Sequence, residues 1–218
     1  MKAVIIGATG ATGKYLLQEL LQSENTDAVL SLGRKPLDIQ HPKLNHCIIN
    51  FDQYDQWKNL VKGDIAFSCF VITLKAAGSK ELQKKIDFDY QLNFAKAARE
   101  NGTEHFILIS SYGANSHSKL FYSKMKGELE EEIIRLKFPQ LRIFQPGLLF
   151  RKNSDRLGER WSVSILNGIT KFALFKKYKP LPTSILAKAM LKISQNKEKG
   201  LRFIRLQEIW TESEENNN

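Results

Sequence analysis

The 218-residue sequence has only two cysteines and four histidines, and no Cys-x-x-Cys pair. Cys47 and Cys69 each sit inside an apolar run, the ordinary place for a reduced core thiol. Neither a disulfide framework nor a metal site is therefore expected. No apolar run reaches the roughly 18 residues that a bilayer span requires. The opening MKAVIIGATG is too short an apolar stretch for a secretory signal and runs straight into glycines, so a cytoplasmic location is expected. The chain also lacks internal repeats and any linker-like stretch. This leaves a single domain over residues 1–210, with a polar, acidic tail over residues 211–218 (TESEENNN) that is expected to be disordered.

Charge is unbalanced: 33 Lys and Arg against 23 Asp and Glu give a net +10. The cations are spread along the chain, with one denser stretch at Lys171–Lys179 (KFALFKKYK). A phosphate-bearing small ligand is the first reading of this excess, a solvated basic surface the second, and nucleic acid a distant third. No nucleic-acid partner is expected, and a monomer or homodimer is.

Apolar runs alternate with amphipathic stretches, the pattern of a parallel sheet covered on both faces. Strands are expected at Ala3–Ile6, Ala28–Leu32, His46–Ile49, Ile65–Ile72, His105–Ile109, Leu141–Phe144 and Leu201–Leu206. Helices are expected at Gly13–Gln22, Ser79–Glu100, Phe121–Leu136, Arg156–Asn167 and Ser184–Ser194. The fold class is α/β, a Rossmann-like doubly wound parallel sheet with helices on both faces. The region from about Arg151 is too short for a second core and is expected to cap the sheet edge.

Strand one runs directly into Gly7-Ala8-Thr9-Gly10-Ala11-Thr12-Gly13. The first glycine suits a tight strand-to-helix turn, the second lets backbone approach a pyrophosphate, and the third allows close helix packing. The helix then starts at the phosphate, where free N–H groups and the helix dipole favour negative charge. A dinucleotide cofactor is expected here. Strand two ends in Gly33-Arg34-Lys35 rather than in an acid. A carboxylate there would repel a ribose 2′-phosphate, whereas an Arg fork accepts one, which places NADP(H) ahead of NAD. Asp52 suits the adenine amino group, and equally a simple turn.

Tyr122 and Lys126 are four apart on an expected helix and share one face. Ser110 and Ser111 end strand five, where open α/β sheets bind ligands. A tyrosine hydroxyl beside an ammonium can pass a proton to a developing alkoxide, and a serine can polarise the substrate oxygen. The expected catalytic set is Ser111, Tyr122 and Lys126, with Ser110 the competing serine. Tyr112, Asn115 and His117 are candidates for substrate contact, and Arg151, Lys152 or Arg156 for an anionic group.

With these residues in place, the chain resembles the short-chain dehydrogenase/reductase superfamily in its atypical, NmrA-like or epimerase-like branch. Within that branch it is most similar to the Tat-interacting-protein oxidoreductase family. The likeness rests on GATGATG, GRK, HFILISSYGA, YSKMKGELE, FQPGLL and LPTSILAKAM, which together cover nearly the whole chain. It implies NADP(H) binding, with Thr73 near the cofactor and Pro146, Gly147 and Leu148 lining the nicotinamide end. It also implies two readings: a hydride-transferring enzyme for a small carbonyl or alcohol, or an NADP(H)-sensing regulatory protein. Three departures stand out: Gln145 where arginine is usual, the bulk of Val71-Ile72-Thr73, and Asp87 where relatives carry asparagine.

Overall fold

The apolar runs form the strands of one seven-stranded, all-parallel sheet. The computed structural model describes residues 1–150 and 180–214. In chain order the strands are β1 (Lys2–Ile6), β2 (Ala28–Gly33), β3 (Leu44–Ile48), β4 (Ile65–Ser68), β5 (His105–Ile109) and β6 (Gln140–Gln145). Two short strands, β7 (Leu149–Phe150) and β8 (Leu181–Pro182), pair with each other, and β9 (Gly200–Arg205) closes the sheet, whose order is β3-β2-β1-β4-β5-β6-β9. The helices are α1 (Ala11–Gln22), α2 (Tyr54–Trp57), α3 (Leu74–Ala77), α4 (Lys80–Lys84), α5 (Tyr90–Glu100), α6 (Phe121–Arg135), α7 (Thr183–Ser194) and α8 (Leu206–Glu214).

Strand periodicity divides the core into two layers. Ala3 and Ile5 of β1, with Ile107 and Ile109 of β5, pack under α1, α7 and α8. Val4, Ile6, Phe106 and Leu108 pack on the other side, against α5 and α6. Helical periodicity supplies the matching faces: Leu16, Leu17, Leu20 and Leu21 of α1, and Leu186, Ala187, Met190 and Ile193 of α7, are all buried. Each such leucine contributes roughly 1.5–3 kcal/mol of burial. The order of strands reverses between β1 and β4, the switch point at which doubly wound sheets open a crevice.

Three elements differ from the sequence expectation. The apolar run from Ile65 leaves the sheet after Ser68, because the peptide of Ile72 is held elsewhere: its N–H donates to Asp87 and its carbonyl accepts from Gln83 Nε2 at 2.8 Å. The single helix expected over Ser79–Glu100 is α4 and α5 joined by a π-helical turn, Lys85–Asp89. The tail expected from Thr211 is helical as far as Glu214, because α8 buries Ile209 and its Glu212 pairs with Lys192 and Arg202. Of the region expected to form a cap, α7 and α8 pack on the α1 layer, and residues 151–179 lie outside the described residues. So do the helix expected at Arg156–Asn167, the basic Lys171–Lys179 stretch, and Arg151, Lys152 and Arg156. Among the described residues both cysteines are free, no group of side chains suits a metal ion, and no helix is long and apolar enough to cross a membrane.

Candidate dinucleotide and active site

The glycine turn is built as its spacing requires. Gly7 adopts φ 82°, and a β-carbon on it would lie 2.8 Å from the carbonyl carbon of Cys69 at the end of β4. A β-carbon on Gly13 would stand 2.1 Å from the Gly7 carbonyl oxygen, so α1 can approach β1 only without one. Gly10 donates its N–H to that same oxygen at 2.8 Å and opens α1 with no side-chain cap. The first-turn N–H groups of α1 are thus left to a ligand or to water. They border a cleft of about 320 Å³ lined by Gly10, Ala11, Thr12, Cys69, Val71, Ile72, Thr73, Leu149 and Thr183. Thr9 is exposed beside it. A backbone cradle that any β-carbon would fill, at an uncapped helix N-terminus, fits a pyrophosphate.

Arg34 and Lys35 follow β2 at the same edge of the sheet, both exposed. The Lys35 carbonyl is bonded by the His46 ring at 2.9 Å, which fixes the turn, while the Arg34 side chain lies within electrostatic reach of Tyr90. Asp52 has one carboxylate oxygen engaged by both Lys85 Nζ and the Tyr90 hydroxyl, each at 2.8 Å. Those two partners hold its carboxyl below the usual range. Thr73 caps α3, its hydroxyl accepting from the Ala76 N–H at 3.2 Å.

Ser110 and Ser111 end β5 and face different surroundings. Both hydroxyls are buried without a hydrogen-bond partner among the described residues, and that of Ser110 lies toward Glu130. Tyr122 and Lys126 lie on α6 as expected, with Lys126 Nζ 6.0 Å from the centre of the Tyr122 ring. Lys126 is fully buried, and its ammonium likewise has no hydrogen-bond partner among the described residues. Burial pushes its pKa down, against the pull of Asp87 and Glu130. Burial pushes the Tyr122 hydroxyl up, and Asp87 pushes it further. A partnerless buried ammonium beside a tyrosine is a group waiting for a polar ligand atom.

Asp87 was legible only as a departure from the family pattern, yet it is wholly buried and faces both Lys126 and Tyr122. Burial raises its carboxyl to about 6, opposed by Lys126 and by the Ile72 N–H. Gln145 donates to both carboxylate oxygens of Glu130, at 3.0 and 3.1 Å, so the residue that replaces arginine still has an acidic partner. Two further residues were missed in the sequence. Gln83 holds the cleft loop, and Gly127 of α6 lets the loop after β5 lie flat on the helix.

Other expected contacts fall elsewhere. Asn115 and His117 do not line the cleft at the glycine turn; they line a separate cavity of about 340 Å³ with Gly127, Glu131 and Phe203. Tyr112 is largely exposed, and its N–H donates to the Pro146 carbonyl at 2.8 Å. Gly147 packs under Leu206, and Leu148 is exposed, its carbonyl accepting from Leu181.

Residues 7–137 match the family described as NAD(P)H-binding. "Protein FMP52, mitochondrial" of Candida albicans is 33% identical over 202 residues, covering 89% of this chain and 88% of its own. "Protein HTATIP2" of Rattus norvegicus is 36% identical over 160 residues, 70% of this chain and 66% of its own. The UDP-glucose 4-epimerase of Thermotoga maritima superposes with a TM-score of 0.71 at 11% identity, over 94% of this chain and 76% of that one. This last likeness concerns the fold alone. The mitochondrial names of fungal relatives overturn the expected cytoplasmic location. The shortness of the apolar stretch before Gly7, on which that expectation rested, does not distinguish the cytoplasm from an organelle. The cradle at Gly7–Gly13, the sheet order and the matched residues agree: the chain belongs to the NAD(P)H-binding family, with the fungal FMP52 proteins among its relatives.

Proposed function

We propose that the protein is an NADP(H)-dependent oxidoreductase acting on a small carbonyl or alcohol. The observation that carries this reading is the buried ammonium of Lys126, which lies against Tyr122 and has no hydrogen-bond partner among the described residues. The pyrophosphate would rest on the backbone of Gly7–Gly13 and the first turn of α1, with Arg34 and Lys35 receiving the 2′-phosphate. Pro146, Gly147 and Leu148, with Thr73 and the loop before it, would border the nicotinamide end. A bound reduced nicotinamide supplies the hydride. Ser111 donates a hydrogen bond to the substrate oxygen and orients it. Tyr122 passes its hydroxyl proton to that oxygen as negative charge develops there. Lys126 stabilises the phenolate left behind and offers its remaining N–H groups to ribose hydroxyls.

The preference for NADP(H) rests on Arg34 and on the state of Asp52. The acid at this edge is already paired with Lys85, which leaves the Arg34 side free to meet a phosphate. NADPH is expected to raise the melting temperature more than NADH at equal concentration. Oxidation of NADPH against a panel of aldehydes and ketones, compared between the parent and Tyr122→Phe, tests the chemistry. A loss of about 10²-fold or more in the variant supports it. No turnover with any carbonyl in the parent overturns it, and favours the NADP(H)-sensing reading.

A further inference from the structure

Strand β2 ends in a turn that carries two cations and is held by a side chain of the neighbouring strand. The ladder closes at Gly33, whose carbonyl accepts the Ile49 N–H at 2.8 Å. Arg34 and Lys35 follow outside the sheet, both exposed. The Lys35 carbonyl lies 2.9 Å from His46 Nε2. A carbonyl only accepts, so Nε2 carries a proton and donates it. The other ring nitrogen, Nδ1, is buried and has no hydrogen-bond partner among the described residues.

Strand periodicity places the ring. Ser31 and Gly33 of β2 share a face with Val29, and His46 of β3 shares it with Leu44, the face that α1 covers. His46 is aligned with Ser31, so its ring leans forward along the strand over Gly33. A β-carbon on Gly33 would stand 3.0 Å from the ring's Cε1. Gly33 and His46 are therefore a matched pair, the missing side chain on one strand being the seat for the imidazole of the next. An aliphatic side chain would fill that seat without burying an unpaired nitrogen, which is costly. What the imidazole adds is reach and a donor, and both end at Lys35.

We infer that His46 is a positioning residue for cofactor choice, fixing the Arg34–Lys35 turn where its two cations meet a ribose 2′-phosphate. This rests on the assignment of that phosphate to Arg34 and Lys35. Cations on an exposed turn lose conformational freedom when they close on a phosphate, and a turn already held by its backbone has less to lose. A nucleotide without the 2′-phosphate makes no use of those cations. The bond from His46 therefore contributes to binding of NADPH and leaves binding of NADH alone.

The test uses the full chain and reads binding alone. Dissociation constants are measured by fluorescence titration for NADPH and NADH. Calorimetry supplies them for adenosine 2′,5′-bisphosphate and adenosine 5′-monophosphate, which represent the adenosine end by itself. His46→Leu is expected to weaken NADPH and the bisphosphate about five- to tenfold and to leave NADH and the monophosphate within about twofold. His46→Gln, whose amide nitrogen can stand where Nε2 stands, is expected to stay within about threefold of the parent for all four. Should His46→Leu not fold, Gly33→Ala takes its place, since its methyl displaces the ring and should bring the same selective loss. Equal loss of NADPH and NADH affinity, or no loss of either, overturns the role of His46, as does a loss in His46→Gln as large as in His46→Leu. If Arg34→Ala weakens NADPH selectively while His46→Leu does not, the phosphate stays with Arg34 and His46 has no part in it. If the parent binds NADPH no better than NADH, the NADP(H) preference and the role of His46 fall together. A selective loss in His46→Leu with no carbonyl turned over by the parent leaves the role of His46 standing and removes the oxidoreductase reading.

Discussion

The backbone of Asn115 lies where a side chain on Gly127 would be. A β-carbon at Gly127 would stand 2.3 Å from the Asn115 carbonyl carbon and 2.6 Å from its Cα. The Asn115 N–H also donates to the Ser123 carbonyl at 2.9 Å, so the loop that carries Ser111 is fastened to the helix that carries Tyr122 and Lys126. Replacing glycine by alanine inside a helix ordinarily stabilises it by up to about 1 kcal/mol. Here the expected outcome is the reverse. Gly127→Ala should lower stability by roughly 1–3 kcal/mol, the cost of overpacking, and should weaken whatever turnover depends on the spacing of Ser111 and Tyr122. Denaturant unfolding of the variant checks the sign.

Arg34 offers a second prediction. An aspartate in place of its guanidinium would set a carboxylate against a 2′-phosphate, while a ribose 2′-hydroxyl would gain an acceptor. Arg34→Asp should therefore abolish the greater thermal stabilisation by NADPH, and NADH should match or exceed it. Losing a charge-assisted contact of about 1.5–3 kcal/mol corresponds to roughly 10–100-fold in NADPH affinity. Parallel melting curves with the two nucleotides read the exchange directly.

What the sequence disclosed, and what it hid, follows from how local each requirement is. Gly7, Gly10 and Gly13 are readable because the turn needs them within seven residues of one another. Tyr122 and Lys126 are readable because helical spacing puts them on one face. Gly127 is hidden, since its need arises from a loop folded back from Asn115. The end of β4 is hidden for a similar reason. Cys69–Ile72 is as apolar as the strand before it, and only Gln83 and Asp87, more than ten residues on, draw the chain out of the sheet. Glu212, which reads as part of a tail, is an ion-pair partner of Arg202 and Lys192, which no local pattern announces.

His105 sets the acid limit of stability. It is buried at the start of β5 near Arg142, and burial together with that cation lowers its pKa to about 4. A histidine whose folded pKa lies below its unfolded value supports the fold above about pH 6.5 and withdraws that support as pH falls towards 4. At pH 5 the loss amounts to about 2 kcal/mol, at 1.36 kcal/mol per unit. His105→Gln should flatten this limb between pH 6.5 and 4, and urea midpoints at a series of pH values measure it.

Asp87 acts in the opposite direction. Its carboxyl is raised to about 6, so folding disfavours the ionised form relative to the unfolded chain. Stability from a raised carboxyl is complete below its unfolded pKa, near 4, and is lost as pH rises through about 6. Above pH 7 the ionised, wholly buried group costs roughly 3 kcal/mol relative to its state at pH 4, the product of a shift of about two units and 1.36 kcal/mol per unit. That cost is what remains after the attraction of Lys126, which lowers the Asp87 carboxyl against its burial. Asp87→Asn removes the ionising group but keeps an acceptor for the Ile72 N–H. The variant should gain stability over the parent at pH 8 and lose that advantage at pH 4. Were the gain the same at both pH values, the Asp87 carboxyl would ionise in the folded protein as readily as in the unfolded chain, and its burial would carry no pH-dependent cost.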